Sequence, residues 1–286
     1  MKIEKLPEPL GAKVYGLDLR KNLTQKTILK LQDAFVTYQV LIFHEQKMFP
    51  DQQIAFSKHF GLVEKLYTEE HRVPEFPEVV VLSNEKVNGK YIGVLSAGDF
   101  WHSDLSYQEE TGLATFLYAL KLPSKGGDTE FSNLFSAYNT LPKKIKKKIH
   151  TLNGVHTANK LRNSRVEVTR PGGKAYYDAQ AQVNDVTHPI VRIHPVSGRK
   201  SLYVSPRFTI GIDKMENSDA QPLLDYLFQH QTKSEHTYRH KWQLGDLVMW
   251  DNRSINHRAC GGYSMDDIRL IHRTSTRGDK PFGPSD

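Results

Sequence analysis

The segment "DFWHSDLSY" (residues 99–107) places a histidine and an aspartate two positions apart among aromatic side chains. In an extended chain, residues i and i+2 point to the same side, so His102 and Asp104 would present an imidazole and a carboxylate to one point. Phe100 and Trp101 would limit the access of water to that point. No other histidine of the chain is followed by aspartate at this spacing. The segment therefore predicts part of a metal site on an extended element.

The sequence around this segment predicts a mainly β fold with peripheral helices, of the α+β class. Residues 23–39 have the apolar spacing of an amphipathic helix, with Thr24 as its N-cap. Strands and helices do not alternate regularly, which favours antiparallel sheets over a parallel α/β fold. The predicted strands include residues 78–85, 112–123, 245–259 and 267–278.

The chain of 286 residues is long enough for one large domain. It contains no internal repeat and no linker rich in proline, glycine or serine, so we expect a single domain over residues 1–286. Residues 153–187 are polar, show little periodicity and include the turn-forming segment "RPGGK". We expect this stretch to be a variable surface insertion.

The formal net charge of +7 is compatible with either a nucleic acid or an anionic small molecule as partner. The densest basic run, residues 141–152, has Ile145, Ile149 and Leu152 at spacings of four and three, which predicts a helix whose lysines face solvent. No aromatic residues interleave with these lysines to stack on bases. We therefore expect a small anionic substrate and no nucleic acid.

The sequence indicates a protein of a reducing compartment that is not inserted in a membrane. Cys260 is the single cysteine, which excludes an internal disulfide. The N-terminal residues contain no apolar signal-peptide core, and no apolar run approaches 18 residues. We expect a cytoplasmic location and no membrane partner.

A second histidine is needed to complete a metal site of two histidines and one carboxylate, which is typical of non-haem Fe(II) oxygenases. His257 is followed by Arg269 twelve residues on, and His194 is followed by Arg207 thirteen residues on. Spacing alone leaves both histidines open. His194 enters a predicted hairpin turn, where a partly exposed structural histidine is the ordinary explanation.

The last predicted strand favours His257, which precedes it. Alternation in "RLIHRTS" places Arg269, Ile271 and Arg273 on one face of the strand. Two guanidinium groups on one face each need an anionic partner. A cosubstrate and a substrate would supply the two anions, and a pair of salt bridges to acidic side chains is the alternative.

Four motifs together resemble the TauD/TfdA family of Fe(II)- and 2-oxoglutarate-dependent dioxygenases. They are "WHSD" at 101–104, "GGDTEF" at 126–131, "WDNRSINHRA" at 250–259 and "RLIHRTSTRGDKPFG" at 269–283. The resemblance extends over nearly the whole chain, from "GAKVYGLDL" near the N-terminus. It implies a double-stranded β-helix (jelly-roll) core, and it assigns the metal ligands as His102, Asp104 and His257.

The resemblance also implies the roles of three further residues. Thr129 and Arg269 match the residues that bind the C5 carboxylate of 2-oxoglutarate, and Arg273 matches the arginine that taurine dioxygenases direct at the substrate's sulfonate. Arginine suits these carboxylate and sulfonate groups because its planar fork donates two parallel hydrogen bonds. Members of the family often form dimers or tetramers.

The activity implied by the resemblance is hydroxylation of a small anionic organic substrate, with O2 consumed and 2-oxoglutarate converted to succinate and CO2. A sulfonate or carboxylate such as taurine or an aryloxyalkanoate fits this description. Taurine enzymes usually have threonine where this chain has Ser103, and asparagine where it has Gly98, which makes taurine itself a minor expectation. The rings of Phe100, Trp101 and Trp250 would shield the site from water or pack in the core.

Two other functions remain open from the sequence. One is a jelly-roll binding protein without turnover, which would be indicated by failure to bind Fe(II). The other is a zinc hydrolase that uses the same three ligands, since zinc is also bound by histidine and carboxylate groups. A hydrolase has no need for Thr129 or Arg269.

Overall fold

The structure, a computed structural model, describes residues 1–66, 69–95, 98–158 and 184–285. Strands dominate these residues. In chain order they are β1 (Lys2–Lys5), β2 (Ala12–Tyr15), β3 (Val40–Phe43), β4 (Arg72–Val73), β5 (Phe76–Ser83), β6 (Lys86–Val87), β7 (Lys90–Tyr91), β8 (Gly112–Lys121), β9 (Thr129–Asn133), β10 (Asn153–His156), β11 (Val186–Pro189), β12 (Val191–Ile193), β13 (Lys200–Leu202), β14 (Thr209–Ile212), β15 (Thr237–His240), β16 (Leu247–Asp251), β17 (Ile255–Ala259) and β18 (Leu270–Arg277).

Helices occupy a smaller part of the described chain. The α-helices are α1 (Gln25–Tyr38), α2 (Pro50–Ser57), α3 (Leu134–Thr140), α4 (Lys143–Ile149) and α5 (Asn217–Gln231), and short 3₁₀ helices cover Lys58–Phe60, Glu69–His71 and Ser234–His236. Among the residues described, no helix is both long and apolar enough to cross a membrane.

An eight-stranded sheet forms the centre of the molecule, in the order β1-β2-β3-β16-β8-β18-β5-β4. Its pairs are antiparallel except for β2 and β3, which run parallel. Alternation along β16 gives the sheet two apolar faces. Leu247 and Met249 lie with the aromatic residues of α1 and α2, whereas Val248 and Trp250 lie on the opposite face.

A second, three-stranded sheet, β15-β9-β17, packs on that opposite face. Phe131 of β9 and Ile255 of β17 join the cluster formed by Val248, Trp250 and Ile271 of the large sheet. The ring of Phe131 lies 5.3 Å from that of Trp250. Two facing antiparallel sheets with helices at the periphery are the architecture expected from the sequence, and the jelly-roll core agrees with it.

Several local predictions are confirmed. Thr24 caps α1 by accepting a hydrogen bond from the Thr27 amide. The lysine-rich run forms α4, in which Ile149 is buried and the lysines lie mostly at the surface. The predicted hairpin near Ser197 and Gly198 connects β12 and β13.

One strand prediction needs correction, and the predicted insertion has strands at both ends. Residues 245–259 form two strands, because a turn at Asn252–Ser254 moves the chain from the large sheet (β16) to the small one (β17). The expected insertion at 153–187 contains β10 at one end and the start of β11 at the other, and these two strands pair with each other. Residues 159–183 of that insertion lie outside the described residues.

Candidate active site

His102 and His257 come together through a single backbone bridge between distant parts of the chain. The amide of His102 donates to the carbonyl of His257 at 3.0 Å, and the amide of His257 donates back at 2.8 Å. Residues that exchange both hydrogen bonds in an antiparallel pair lie directly opposite one another, with side chains on the same face. The two imidazole centroids are accordingly 4.2 Å apart.

Asp104 reaches the same point from the chain that carries His102. Its carboxylate oxygens lie 3.5 Å from Nε2 of His102 and 3.8 Å from Nε2 of His257. One ligand atom from each of these buried residues falls within 4.8 Å of the others. His102 and Asp104, two positions apart in the sequence, thus direct their imidazole and carboxylate to the same side, as predicted.

A polar network that the sequence did not reveal fixes the Asp104 carboxylate. Thr115 of β8 donates its hydroxyl to Oδ2 of Asp104 at 2.6 Å, and Asn252 donates to that hydroxyl at 2.9 Å. Asn252 also accepts hydrogen bonds from the Asp104 amide and from the indole of Trp250. Because neither Thr115 nor Asn252 is close to Asp104 in sequence, only the position of Asn252 inside "WDNRSINHRA" signals its importance.

The hydrogen bond of His102 determines which of its nitrogens can bind a metal. Nδ1 lies 2.7 Å from the carbonyl of Phe100, and a carbonyl can only accept, so Nδ1 carries the proton. Nε2 is then the unprotonated nitrogen and points toward Asp104. Nδ1 of His257 is buried and has no hydrogen-bond partner among the described residues.

The charges around the site favour an ionised carboxylate and a neutral imidazole. Burial by itself would raise the pKa of Asp104, but Arg273 and the two histidines outweigh it and hold that pKa well below its usual value. Burial, followed by the proximity of His102, lowers the pKa of His257 well below its usual value. Both groups are therefore in the protonation state that metal binding requires.

His194, the other candidate for the third ligand, belongs to a separate buried cluster. Its Nδ1 accepts hydrogen bonds from the amides of Val196 and Ser197, and its Nε2 donates to Asp251 at 2.9 Å. Asp251 is also paired with Arg253 at 2.7 Å. His194 is fully buried, not partly exposed as expected, and it holds the β12–β13 hairpin.

Arg269 lies buried immediately before β18. Its guanidinium has no carboxylate within ion-pair distance among the residues described, and its Nε has no hydrogen-bond partner there. The side chain passes over Gly127, where an added Cβ would lie 3.2 Å from Nε, and Gly127 has a φ of 72°. Glycine at 127 in the "GGDTEF" motif therefore makes room for Arg269 and permits the left-handed backbone.

Thr129 begins β9 and is buried. Its hydroxyl oxygen accepts a hydrogen bond from the indole N–H of Trp242 at 3.1 Å. The hydroxyl hydrogen of Thr129 is not used in that bond and can be donated to another acceptor. Trp242 itself was not singled out by the sequence, since it belongs to none of the family motifs.

Arg273 directly contacts one residue of the candidate metal site. Its Nη2 lies 3.1 Å from Oδ1 of Asp104, and its Nε donates to the hydroxyl of Ser275 at 3.1 Å. Arg273 thus has the salt bridge that was one alternative for this strand, but its partner is the carboxylate of the candidate metal site. Any anion bound to Arg273 would lie beside Asp104.

The three aromatic residues considered as a shield differ in position. Trp250 is fully buried, and its ring lies 4.5 Å from that of His257. Trp101 is partly buried and lies under the guanidinium of Arg258 at 5.0 Å. Phe100 is 43% exposed. Trp250 therefore packs against the site, whereas Phe100 lies at the surface.

The family described as "Taurine catabolism dioxygenase TauD, TfdA family" matches residues 2–275 of this chain. The chain belongs to the TauD/TfdA family. It is an Fe(II)- and 2-oxoglutarate-dependent dioxygenase, an oxidoreductase, and it uses O2. This membership sets aside the zinc hydrolase and the binding protein without turnover.

Individual TauD/TfdA relatives cover almost the entire chain. A 2,4-dichlorophenoxyacetate dioxygenase from Cupriavidus pinatubonensis strain JMP 134 is 33% identical over 281 residues, which cover 94% of this chain and 95% of the relative. The structure of a taurine dioxygenase from Burkholderia xenovorans superposes with a TM-score of 0.82 at 30% identity, covering 99% of this chain and 91% of that one. The structure of AAD-2 in complex with Mn(II) and N-oxalylglycine gives a TM-score of 0.80 at 31% identity, with 98% of each chain covered.

Proposed function

We propose that this dioxygenase binds Fe(II) through His102, Asp104 and His257 and hydroxylates a small organic sulfonate or carboxylate. Thr129 and Arg269 bind the far carboxylate of 2-oxoglutarate, and Arg273 binds the anionic group of the substrate. The observation that carries the proposal is a buried guanidinium, Arg269, with no anionic partner in the described part of the chain, in a protein that presents two imidazoles and a carboxylate at one point.

The three candidate ligands fit Fe(II) by their chemistry. Two imidazoles and one ionised carboxylate on one face leave coordination positions open for other ligands. The hydroxyl of Thr115 and the carbonyl of Phe100 orient two of the three ligands from outside. When bound, the iron with 2-oxoglutarate and O2 supplies the oxidising chemistry that hydroxylates a substrate carbon.

Arg269 fits the 2-oxoglutarate carboxylate for energetic reasons. Burial lowers its pKa, yet a guanidinium stays protonated in proteins, and a buried charge without a partner is costly. A carboxylate of 2-oxoglutarate would accept two parallel hydrogen bonds from the guanidinium. The free hydroxyl hydrogen of Thr129 would be a third donor to that carboxylate. These residues therefore orient the cosubstrate.

The substrate class follows from Arg273 and from the relatives. Arg273 would hold an anion next to Asp104, which positions the neighbouring carbon for hydroxylation. Among the relatives, one acts on 2,4-dichlorophenoxyacetate and another is a taurine dioxygenase. Gly98 has a φ of 86°, and a Cβ there would lie 3.1 Å from Cε1 of His102, so this chain differs from taurine enzymes beside a metal ligand. We favour a carboxylate or sulfonate other than taurine.

The first experiment is an anaerobic titration of the purified protein with Fe(II) and then 2-oxoglutarate. We expect a visible metal-to-ligand charge-transfer band from the chelated 2-oxo acid. A panel of sulfonates and aryloxyalkanoates is then scored by substrate-stimulated succinate formation. If the protein binds iron but develops no band with 2-oxoglutarate, the proposed site assignment is wrong.

Trp242→Phe should raise the KM for 2-oxoglutarate about 2- to 10-fold and leave kcat nearly unchanged, which is the loss expected for one neutral hydrogen bond. The reason is that the Thr129 hydroxyl loses the donor that fixes its orientation. Steady-state kinetics with varied 2-oxoglutarate measures the effect. Tyr238→Phe is the matched control, because it removes a hydroxyl that contacts His240 instead of Thr129. Equal effects of the two variants would contradict this role of Trp242.

The remaining expectations are proposals of the same kind. We propose one domain over residues 1–286, a cytoplasmic location because the single cysteine suits a reducing compartment, and a dimer or tetramer as in many family members. We also propose that neither nucleic acid nor membrane is a partner. The position of the α4 lysines on the exposed side of a helix anchored by Ile149 supports the absence of a nucleic-acid site.

A further inference from the structure

Arg207 is a buried arginine that the proposed site does not use. Within the described residues, five arginines are buried, and three of them are paired with a carboxylate: Arg192 with Asp279, Arg253 with Asp251, and Arg273 with Asp104. Of the other two, Arg269 is assigned to 2-oxoglutarate. Arg207 is 8% exposed, and in the part of the chain that is described it has no carboxylate within ion-pair distance and no hydrogen-bond partner for Nη1.

The backbone holds Arg207 at the edge of the metal site. Its amide donates to the carbonyl of Trp101, the residue before His102, at 3.2 Å. The turn that contains Arg207 is fixed by hydrogen bonds between Ser205 and Thr209 in both directions. The position of the side chain is therefore set by the same segment that presents a metal ligand.

One aromatic ring separates the Arg207 guanidinium from His102. Cζ of Arg207 lies 4.9 Å from the centre of the Phe208 ring, and that ring lies 5.7 Å from the imidazole of His102 in an edge-on contact. Phe208 also packs on Tyr107 at 4.9 Å. The guanidinium thus lies beside an apolar aromatic surface that borders the candidate iron ligands.

We infer that Arg207 forms a second anion-binding subsite, and that the substrate carries a second anionic group separated from the first by an aromatic or alkyl spacer. This inference rests on the proposed function. A guanidinium keeps its charge in a protein, and burying that charge without a partner is costly. A substrate anion at Arg207 would supply the partner that the described residues do not provide, while its spacer packs on Phe208.

The formal charges of the loaded site lead to the same substrate class. With divalent iron, dianionic 2-oxoglutarate, Asp104, Arg269 and Arg273 in place, a monoanionic substrate already brings the formal charge to zero. Arg207 then adds an uncompensated positive charge. A second carboxylate, sulfonate or phosphate on the substrate neutralises it, so Arg207 is a specificity-determining residue for dianions.

The test uses the anaerobic Fe(II)–2-oxoglutarate complex and a matched pair of probes, phenoxyacetate and 4-carboxyphenoxyacetate. Each probe is titrated, and its Kd is taken from the perturbation of the charge-transfer band. We expect the wild type to bind the dianion about 10- to 100-fold more tightly than the monoanion, as for a hydrogen bond to a charged group. Arg207→Gln should abolish that ratio, and Arg207→Lys should keep part of it because it retains the charge.

Arg199→Gln is the matched control. Arg199 also stacks on a phenylalanine, with its Cζ 3.9 Å from the ring centre of Phe135, but it lies in the hairpin that His194 holds. This variant should retain the wild-type ratio. If the band forms and the two probes bind equally to the wild type, or if Arg207→Gln lowers the Tm while the ratio is unchanged, Arg207 is a structural residue and the inference is wrong. Absence of the band would instead reject the site assignment itself.

Discussion

His257→Ala is expected to abolish the charge-transfer band and to reduce turnover more than about 100-fold, which is the upper loss for residues that only support a metal ligand. The physical reason is the loss of one of three ligand atoms that lie within 4.8 Å of one another. The fold should survive, because Nδ1 of His257 has no hydrogen-bond partner to lose among the described residues. Anaerobic titration, succinate formation and thermal unfolding measure the three quantities.

His194→Ala is the matched control for this prediction. Its imidazole donates to Asp251 and accepts from two backbone amides, so its removal should cost ~1–3 kcal/mol of unfolding free energy from unsatisfied buried groups. The band and the iron stoichiometry should remain. If His194→Ala abolished the band and His257→Ala did not, the assignment of the third ligand would be wrong.

Arg269→Leu should weaken 2-oxoglutarate binding by roughly 30-fold to several thousand-fold, which corresponds to the ~2–5 kcal/mol lost when one partner of a buried charge pair is removed. Without 2-oxoglutarate the same substitution should leave the Tm unchanged or raise it. The guanidinium is buried without an anionic partner among the described residues. Replacing it with a smaller apolar side chain therefore removes the free-energy cost of burying an unpaired charge. Titration of the band and unfolding of the protein without cosubstrate measure the two effects.

Arg253→Leu gives the opposite pattern and serves as the control. Arg253 is buried like Arg269, but it is paired with Asp251 at 2.7 Å. Removing it leaves the buried carboxylate with only His194 and the backbone amide of residue 253 as donors, which typically costs about 3–5 kcal/mol. The Kd for 2-oxoglutarate should change little in the fraction that folds. A large loss of stability in Arg269→Leu would mean that Arg269 has a structural partner and is not reserved for the cosubstrate.

Local sequence signals were sufficient for much of the fold. Some signals each span only a short stretch of sequence: the N-cap Thr24, the apolar face of α1, and the apolar runs of β5 and β8. The structure contains the corresponding elements. The sequence prediction placed residues 245–259 in one strand and therefore missed the break between β16 and β17. The chain changes sheets at Asn252, and the side-chain amide that stabilises this turn makes hydrogen bonds with Thr115 and Asp104, which are distant in the sequence.

In the candidate site, too, some features follow from the local sequence and others depend on contacts between distant residues. The sequence by itself determined that His102 and Asp104 face one point, since extended backbone fixes the direction of residues two apart. It also identified two arginines on one face of the last strand. It did not decide between His257 and His194 by spacing, and there the two arginines of the last strand, together with the family resemblance, favoured His257.

Only the tertiary structure decided the contacts that depend on strands from distant parts of the chain. The antiparallel bridge between His102 and His257 sets their rings 4.2 Å apart, while a hydrogen bond to Asp251 draws His194 into another cluster. The same holds for the bond from Trp242 to Thr129 and for the burial of Arg207 without a carboxylate partner among the residues that the structure describes. Whether a buried charge has a partner is a property of the packed molecule, because it depends on which side chains the other strands bring within a few ångströms.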